Sequence, residues 1–237
     1  MNFPPTRLSV VARTRSDNDE MRRLAFATLI EAYWKPVYKY LRLKWRLNPD
    51  DASDLTQEFF TSALEKDVLG RYDPDKARFR TYLRLCLDGF AANARKAEGR
   101  LKRGGAVVTV PLDFVSAEGE LRRHEPSVPA DVDDLFYQEW VRVLFQHAVA
   151  DLRTASQASG REVMFTVFER YDLSDSERRP TYAELAGDLA LTTSTVTNHL
   201  AAMRRQFRGH VLARLRDLTT SDDDFEAEAR RLLGGTQ

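Results

Sequence analysis

Polar and basic side chains at helical spacing lie between residues 193 and 208 of this chain. Apolar residues recur there every three or four positions and are expected to pack inward, namely Val196, Leu200, Met203, Phe207 and Val211. The opposite face then carries hydroxyl, amide and guanidinium groups, on Ser194, Thr197, Asn198, Arg205 and Arg208. Hydroxyl and amide groups hydrogen-bond to base edges, and arginines bind phosphates. This pattern predicts noncovalent recognition of duplex DNA.

The preceding residues predict the element that would present this face. The run from Thr181 to Leu200 predicts a short helix, a tight turn and a second helix, which is the organisation of a helix-turn-helix. Ala190 stands at the turn position where such motifs usually have glycine, and a left-handed backbone there costs alanine about 1–2 kcal/mol. From this segment alone, a helical hairpin that binds nothing remains the alternative. The candidate contacts with duplex DNA are Thr181, Thr193, Ser194, Thr195, Thr197, Asn198, Arg204, Arg205 and Arg208.

A second basic segment extends from Arg78 to Arg103, and all of it except Arg103 lies within a helix predicted over residues 75–102. Aromatic side chains lie near its start, and a mixture of arginines and aromatics can stack against and steer single-stranded bases. The alternative is that the aromatics belong to the core, which is the expected position of Phe79 and an open question for Tyr82. Candidate contacts with unstacked bases and phosphates are Tyr72, Arg78, Arg80, Tyr82, Arg84, Asn93, Lys96, Arg100 and Arg103.

An acidic face is predicted on a helix over residues 51–66. The buried stripe of this helix comprises Ala52, Leu55, Phe59 and Ala63. The outer face carries Asp51, Asp54, Glu58 and Glu65. Such a face would suit a basic partner, and the alternative is an ordinary solvated surface.

Composition excludes several classes of protein. The chain has 237 residues and one cysteine, Cys86, which rules out a disulfide framework and a cysteine-rich zinc site. The four histidines occur singly, and the sequence has no glycine-rich phosphate loop or nucleophile elbow. We therefore expect a protein that is not an enzyme, with no catalytic residue, no cofactor and no bound metal. Because no apolar run could span a bilayer and no signal peptide is evident, we expect no membrane partner and a cytoplasmic location.

Helical periodicity and its interruptions predict an all-α fold with two small helical domains joined by an acidic linker. We predict a first helical domain over residues 18–103 and a linker over residues 104–133, in which residues 107–110 could form a brief extended segment. The second domain, with the helix-turn-helix, is predicted over residues 134–218. Residues 219–237 are predicted to form a tail helix that packs against the second domain, with a regulatory contact as the alternative.

The order and spacing of these segments resemble the sigma factors of bacterial RNA polymerase, in particular the two-domain extracytoplasmic-function (ECF) type. The resemblance covers most of the chain. Residues 51–64 are similar to the helix that binds the polymerase clamp, with the pattern Asp-x-x-Asp-Leu-x-Gln-Glu-x-Phe. The resemblance assigns contacts with core polymerase to Asp51, Asp54, Leu55, Gln57, Glu58 and Phe59.

The two DNA-binding candidates also match this family in order. The segment from Tyr72 to Asn93 and its basic end is similar to the helix that melts and reads the minus-ten promoter element, and residues 181–205 resemble the module that docks on the minus-thirty-five element. Family members often carry lysine or arginine early in the recognition helix, where this chain has Thr197 and Asn198. The upstream sequence that is read is therefore expected to differ.

The resemblance implies a sigma factor that directs RNA polymerase to specific promoters and assists promoter melting at transcription initiation. The implied partners are bacterial core RNA polymerase and promoter DNA, and the existence of an anti-sigma or other regulatory protein stays open. The alternative function is a dimeric helix-turn-helix transcriptional regulator that binds duplex DNA without polymerase.

Overall fold

The computed structural model describes residues 10–14, 18–97, 112–123, 132–174 and 178–234. Every regular element among these residues is helical, which confirms the predicted all-α class. In chain order the α-helices are α1 (Val10–Arg13), α2 (Asp19–Lys44), α3 (Pro49–Glu65), α4 (Phe79–Ala97), α5 (Phe114–Arg123), α6 (Val132–Ala158), α7 (Glu162–Phe168), α8 (Tyr182–Asp188), α9 (Thr193–Leu218) and α10 (Asp222–Leu233). None of these described helices is long and apolar enough to cross a membrane.

The contacts divide the chain into two compact units. The first unit comprises Met1–Val143 and Leu215–Gln237, and the second unit comprises Leu144–Arg214. The first unit therefore includes the beginning of α6 and all of α10.

Asparagine caps begin two long helices of the first unit. The side-chain oxygen of Asn18 accepts from the backbone amides of Glu20 and Met21 at the start of α2. Asn48 caps α3 in the same way, and Pro49 follows it in the first turn, where a missing amide proton costs nothing. These capping residues therefore determine where α2 and α3 begin.

An aromatic cluster forms the centre of the first unit. The ring of Tyr33 on α2 is fully buried and lies 6.5 Å from the ring of Phe136 and 6.4 Å from that of Trp140, both on α6. Phe79, the first residue of α4, packs edge-on to Tyr33 at 5.6 Å. Aromatic contacts of this kind contribute about 0.5–1.5 kcal/mol each beyond the apolar area that they bury. Three helices that are distant in sequence are thereby held together, and Phe136 and Trp140 pack in the first unit although residues 134–218 were predicted to form the second domain.

The region predicted as a linker contains a helix. In α5, Glu118 accepts from Arg42 and Tyr38 of α2, and Glu120 accepts from Lys35 and Lys39. These acidic side chains are therefore neutralised by the basic face of α2, which a prediction based on local composition does not anticipate. The predicted extended segment at residues 107–110 lies outside the described residues.

The second unit is built around the apolar residues of α6 to α9. Val196, Leu200 and Met203 are at most 1% exposed and pack with Phe165 and Leu185, among others. The inward face predicted for α9 is confirmed for these three residues and for Val211, and Phe207 is half-buried against the cluster.

The C-terminal tail forms a helix, as predicted, but it packs in a different place. Ser221 caps α10 by accepting from the backbone amide of Asp224. The expected packing against the second domain is wrong, because α10 belongs to the first unit and Glu228 accepts from Arg78 and Arg80 near the start of α4. The carboxylate of Glu228, which is 2% exposed, therefore joins α10 to two arginines at the start of α4.

Candidate nucleic-acid interface

The loop before α4 is organised by Tyr72. This side chain is only 3% exposed, and its hydroxyl donates to the carbonyl of Ala77 at 2.9 Å. Its ring packs edge-on to Phe79 at 5.2 Å. Tyr72, one of the predicted DNA contacts, is therefore a core residue of the first unit that closes the loop before α4. The same loop explains why α4 begins at Phe79 rather than near residue 75.

Tyr82 lies one turn into α4 with its ring half-buried. Its hydroxyl donates to the carbonyl of Val68 at 2.6 Å, and its ring is tilted against Tyr72 at 5.4 Å. Burial raises the pKa of Tyr82 to about 12, and the proximity of Cys86 adds to this effect. The hydroxyl is therefore a neutral donor at physiological pH, and only part of the ring is available to a ligand.

Arg84 is paired within the first unit. Its guanidinium donates to Asp88 at 3.2 Å, and the same carboxylate accepts from Tyr40, Lys44 and Trp45. The side chain of Arg84 is 15% exposed. Arg84, a predicted DNA contact, is therefore paired within α4, and its partner Asp88 joins α4 to the end of α2.

Arg78 and Arg80 are engaged by the C-terminal helix. Arg80 donates to both oxygens of Glu228 at 2.9 and 2.8 Å, and Arg78 donates to the same carboxylate. The side chain of Arg80 is 11% exposed, that of Arg78 is 42% exposed and that of Glu228 is 2% exposed. In this structure the two predicted phosphate-binding arginines bind a carboxylate of the chain itself.

The second half of α4 presents an open surface. Asn93, Arg95 and Lys96 are exposed there. Arg100 and Arg103, which sequence reasoning places on the same face, lie outside the described residues. Asn93 and Lys96 are therefore the predicted contacts of this helix that the structure leaves accessible.

The acidic face of α3 is present as predicted. Asp51, Asp54 and Glu58 are exposed, and Leu55 and Gln57 are half-buried. Phe59, also a predicted contact, is 2% exposed and packs edge-on to Phe90 at 5.6 Å, so in this structure it lies in the core.

The outward face of α9 is polar and basic. Eight of the nine predicted contacts are exposed, and six of these are Thr193, Ser194, Thr197, Asn198, Arg205 and Arg208. Ala190, in the turn before α9, has a φ of 52°, so the chain adopts the left-handed backbone for which glycine is usual. The hydroxyl of Thr197 donates to the carbonyl of Thr193 at 3.0 Å, which leaves its oxygen able to accept.

Three other predicted contacts have local partners. Thr181 caps α8 in a reciprocal pair with Glu184, and its hydroxyl accepts from the backbone amide of that residue at 3.2 Å. Thr195 is half-buried, and its hydroxyl lies 2.8 Å from that of Thr192. Arg204 donates to both oxygens of Asp172 at 2.8 and 2.9 Å. These three residues make contacts within the chain, and the six exposed residues named above form the rest of the accessible face.

Sequence reasoning missed Asp88 and Glu228, the two carboxylates that bind the basic residues of α4. The spacing of Arg84 and Asp88, four residues apart on a helix, could have indicated the first pairing. The second joins residues 148 positions apart and has no local signal. No group of three or more potential metal ligands occurs among the described residues.

Residues 29–101 match the model of one protein family, Sigma-70 region 2. The chain carries a sigma-70 region 2 domain. Such a domain implies a sigma-70 family sigma factor, with a role in promoter recognition and melting. Sigma factors of this family bind core RNA polymerase and promoter DNA and are not enzymes, which confirms the prediction of a non-enzymatic protein. Neither a curated protein nor a solved structure matches the chain significantly.

The region 2 domain contains α3, α4 and most of α2. It therefore includes both the acidic face and the basic helix. Two elements outside the matched residues, α5 and α10, pack on it through Glu118 and Glu228.

Proposed function

We propose that this chain is a two-domain sigma factor of the extracytoplasmic-function type, which binds core RNA polymerase in the cytoplasm and directs it to promoters. One observation carries the proposal: a region 2 domain is followed in the same chain by a second helical unit whose longest helix turns polar and basic residues outward. In this role the two units bind two separate promoter elements.

The acidic face of α3 is the proposed contact with core polymerase. Asp51, Asp54 and Glu58 are exposed on one helix of the region 2 domain, and none has a pairing with a basic residue among the described contacts. Carboxylates arranged in this way attract a basic surface and accelerate association with it. Leu55 and Gln57, which are half-buried beside them, would complete the contact.

The proposed minus-ten contact begins with α4. Asn93 and Lys96 are exposed and can meet bases and phosphates of the opening strand. Unstacking a base costs a few kcal/mol, and phosphate contacts from the basic end of the helix would offset that cost. Arg78 and Arg80 lie near the other end of α4, where they could extend the contact only after Glu228 is displaced.

The proposed minus-thirty-five contact is a helix-turn-helix formed by α8 and α9. The left-handed turn at Ala190 and the buried residues of α9 support this geometry. Asn198 is exposed in the second turn of α9, in a position to read a base edge. A bidentate contact between asparagine and adenine is worth about 1–3 kcal/mol.

Binding to core polymerase tests the proposal. We expect the purified chain to co-elute with bacterial core RNA polymerase, and Asp51→Arg with Asp54→Arg to abolish the complex. The matched control is Glu31→Arg with Asp75→Arg, which makes the same change of charge at two exposed carboxylates of the same domain that are not part of α3.

Thermal melts of each variant separate lost binding from lost folding. If the wild-type chain binds duplex DNA alone and never binds core polymerase, the dimeric regulator replaces this proposal. If the control pair abolishes the complex as fully as the α3 pair, α3 is not the contact.

A further inference from the structure

The C-terminal helix α10 occupies the arginines near the start of α4. We propose that α10 is an autoinhibitory element, in which Glu228 takes the place of a DNA phosphate on Arg78 and Arg80 until promoter DNA displaces it. This inference rests on the proposed function, since it assigns these arginines to the opening promoter strand.

The ion pair has the geometry of phosphate recognition. The two terminal nitrogens of Arg80 donate to the two oxygens of Glu228 at 2.9 and 2.8 Å, a bidentate pairing that arginine makes equally with carboxylates and phosphates. Arg78 donates to the same carboxylate, and its Nε lies 3.9 Å from an oxygen of Asp224. One carboxylate therefore uses donors from two arginines, as a bound phosphate would.

Arg80 is oriented independently of α10. Its guanidinium lies 4.6 Å from the ring centre of Tyr137 and 4.9 Å from that of Trp140, both on α6. Cation–π contacts of this kind hold a guanidinium in place. When Glu228 leaves, the aromatic rings keep Arg80 in position, so the site is preorganised for a second anion.

The attachment of α10 is mainly electrostatic. Glu228 is the only residue of α10 that is buried, and the remaining residues are half-buried or exposed. Arg231 stacks on Tyr137 at 3.7 Å, and Arg216 stacks on Phe225 at 3.9 Å. Because a buried ion pair is screened little by salt and is costly to leave half-broken, release requires a second anion that takes over both arginines, as a DNA phosphate can.

Release also needs little structural change elsewhere. The helix has 12 residues, and isolated helices of that length are marginal in water, so displaced α10 is expected to unfold. Its opening is then a local event that leaves the aromatic core of the first unit intact.

The charge of α10 adds to the effect. Asp222, Asp223 and Asp224 form its first turn, where negatively charged side chains interact favourably with the helix dipole. Burial, together with the neighbouring charge of Glu228, raises the pKa of Asp224 above its ordinary value. Asp222 pairs with Arg216, so the carboxylates that face the start of α4 are Asp224 and Glu228. Their negative charge opposes a DNA strand there, and Glu228 also blocks the arginines.

Two variants remove the proposed block. The first is a chain that ends at Thr220, and the second is Glu228→Gln in the full chain, which keeps the size of the side chain. The matched control is Glu226→Gln on the same helix, where the side chain is 63% exposed and lies 3.8 Å from Arg230. Thermal melts identify any variant that does not fold, and Glu228→Gln tests the inference if the shortened chain fails.

Binding is measured by fluorescence anisotropy with a labelled single-stranded 20-mer of mixed sequence, over a range of salt concentrations. We expect both variants to bind about tenfold more tightly than the wild type at low salt. The slope of log affinity against log salt should steepen by about 0.7 for each additional phosphate that the protein neutralises. Arg78→Ala in the shortened chain should reverse part of this increase in affinity, and Glu226→Gln should match the wild type.

Hydrogen exchange tests the displacement directly in the unaltered chain. Adding the same oligonucleotide should accelerate amide exchange across residues 222–233. Unchanged exchange there, or equal affinity and slope for the wild type and both variants, would overturn the inference.

Co-elution with core polymerase is measured on the same preparations to distinguish the two proposals. If the wild type and the variants bind core polymerase while oligonucleotide binding is unchanged, the autoinhibitory role fails and the sigma-factor proposal stands. If no preparation binds core polymerase, the proposed function fails and the inference fails with it.

Discussion

Arg42 of α2 donates through two nitrogens to both oxygens of Glu118 of α5, at 2.9 and 2.7 Å. The hydroxyl of Tyr38 donates to the same carboxylate at 2.9 Å. The bonds from Arg42, and then that from Tyr38, hold the pKa of Glu118 near 2, although burial opposes this effect. Helix α5, which lies in the segment predicted to be an acidic linker, is thus bound to α2 of the region 2 domain.

This pairing predicts an acid-sensitive attachment of α5. Because the pKa of Glu118 is lowered from its ordinary value of 4.5 to about 2, its stabilisation is fully present above pH 4.5 and is lost as the pH falls toward 2. Glu118→Gln should lower the free energy of unfolding by about 2 kcal/mol at pH 7 and by less at pH 3. Urea titrations at the two pH values measure this difference.

The control for that experiment is Glu65→Gln, an exposed carboxylate at the end of α3. It should change stability little at either pH. An equal loss for Glu118→Gln at pH 7 and pH 3 would show that its charge does not hold α5.

Asp88 should be a stability determinant of the first unit. Its carboxylate accepts from Tyr40, Lys44, Trp45 and Arg84, so its removal leaves partly buried donors without a partner. We expect Asp88→Ala to lower the free energy of unfolding by about 2–4 kcal/mol, measured by urea titration. Asp75→Ala at an exposed site should have little effect, and a similarly small effect of Asp88→Ala would mean that the cluster is only a surface network.

The turn between α8 and α9 gives a prediction of increased stability. Ala190 has a φ of 52°, which is strained for alanine and free for glycine. We expect Ala190→Gly to raise the free energy of unfolding by about 0.5–1 kcal/mol in a urea titration. Ala201→Gly, at an exposed position inside α9, should lower it by about 1 kcal/mol. If both variants lost stability, the backbone of Ala190 would not be strained in the folded protein.

Asn198 should contribute to promoter recognition without contributing to folding. It is exposed on α9, so Asn198→Ala should leave the melting temperature unchanged. With Asn198→Ala, the polymerase complex should bind a promoter that the wild-type complex selects with a binding free energy weaker by about 1–3 kcal/mol. Gln157→Ala, at an exposed position of α6 in the same unit, is the control. Unchanged affinity for Asn198→Ala would remove this residue from the base contacts.

Local patterns in the sequence predict the helices and many of their faces. The spacing of Val196, Leu200 and Met203 identifies the inward side of α9 because helical periodicity directly determines which residues face the core. The periodicity is less precise in α4, where Leu83, Leu87 and Ala91 are buried but Cys86 and Phe90 are only half-buried. When the apolar stripe of a helix is broad, the sequence does not determine which of its residues face the centre of the core.

Contacts between distant segments are what the sequence does not predict. Arg80 and Glu228 are 148 residues apart, and each is an ordinary charged residue of an amphipathic helix when viewed locally. Lys39 also has no local signal for its burial. It is buried beside its partners Glu120 of α5 and Glu139 of α6, which are distant in sequence. From the sequence, the basic residues of region 2 are expected to be available to DNA. In the structure, several of them are instead paired with carboxylates of the same chain.

Transcription with purified components shows whether this protein directs RNA polymerase to promoters. Core RNA polymerase would be incubated with fragmented bacterial genomic DNA, with and without this protein, and the RNA 5′ ends mapped. We expect discrete start sites that require the protein, that share upstream sequence elements and that disappear with Asp51→Arg and Asp54→Arg but not with Glu31→Arg and Asp75→Arg. Identical 5′ ends with and without the protein would contradict this expectation.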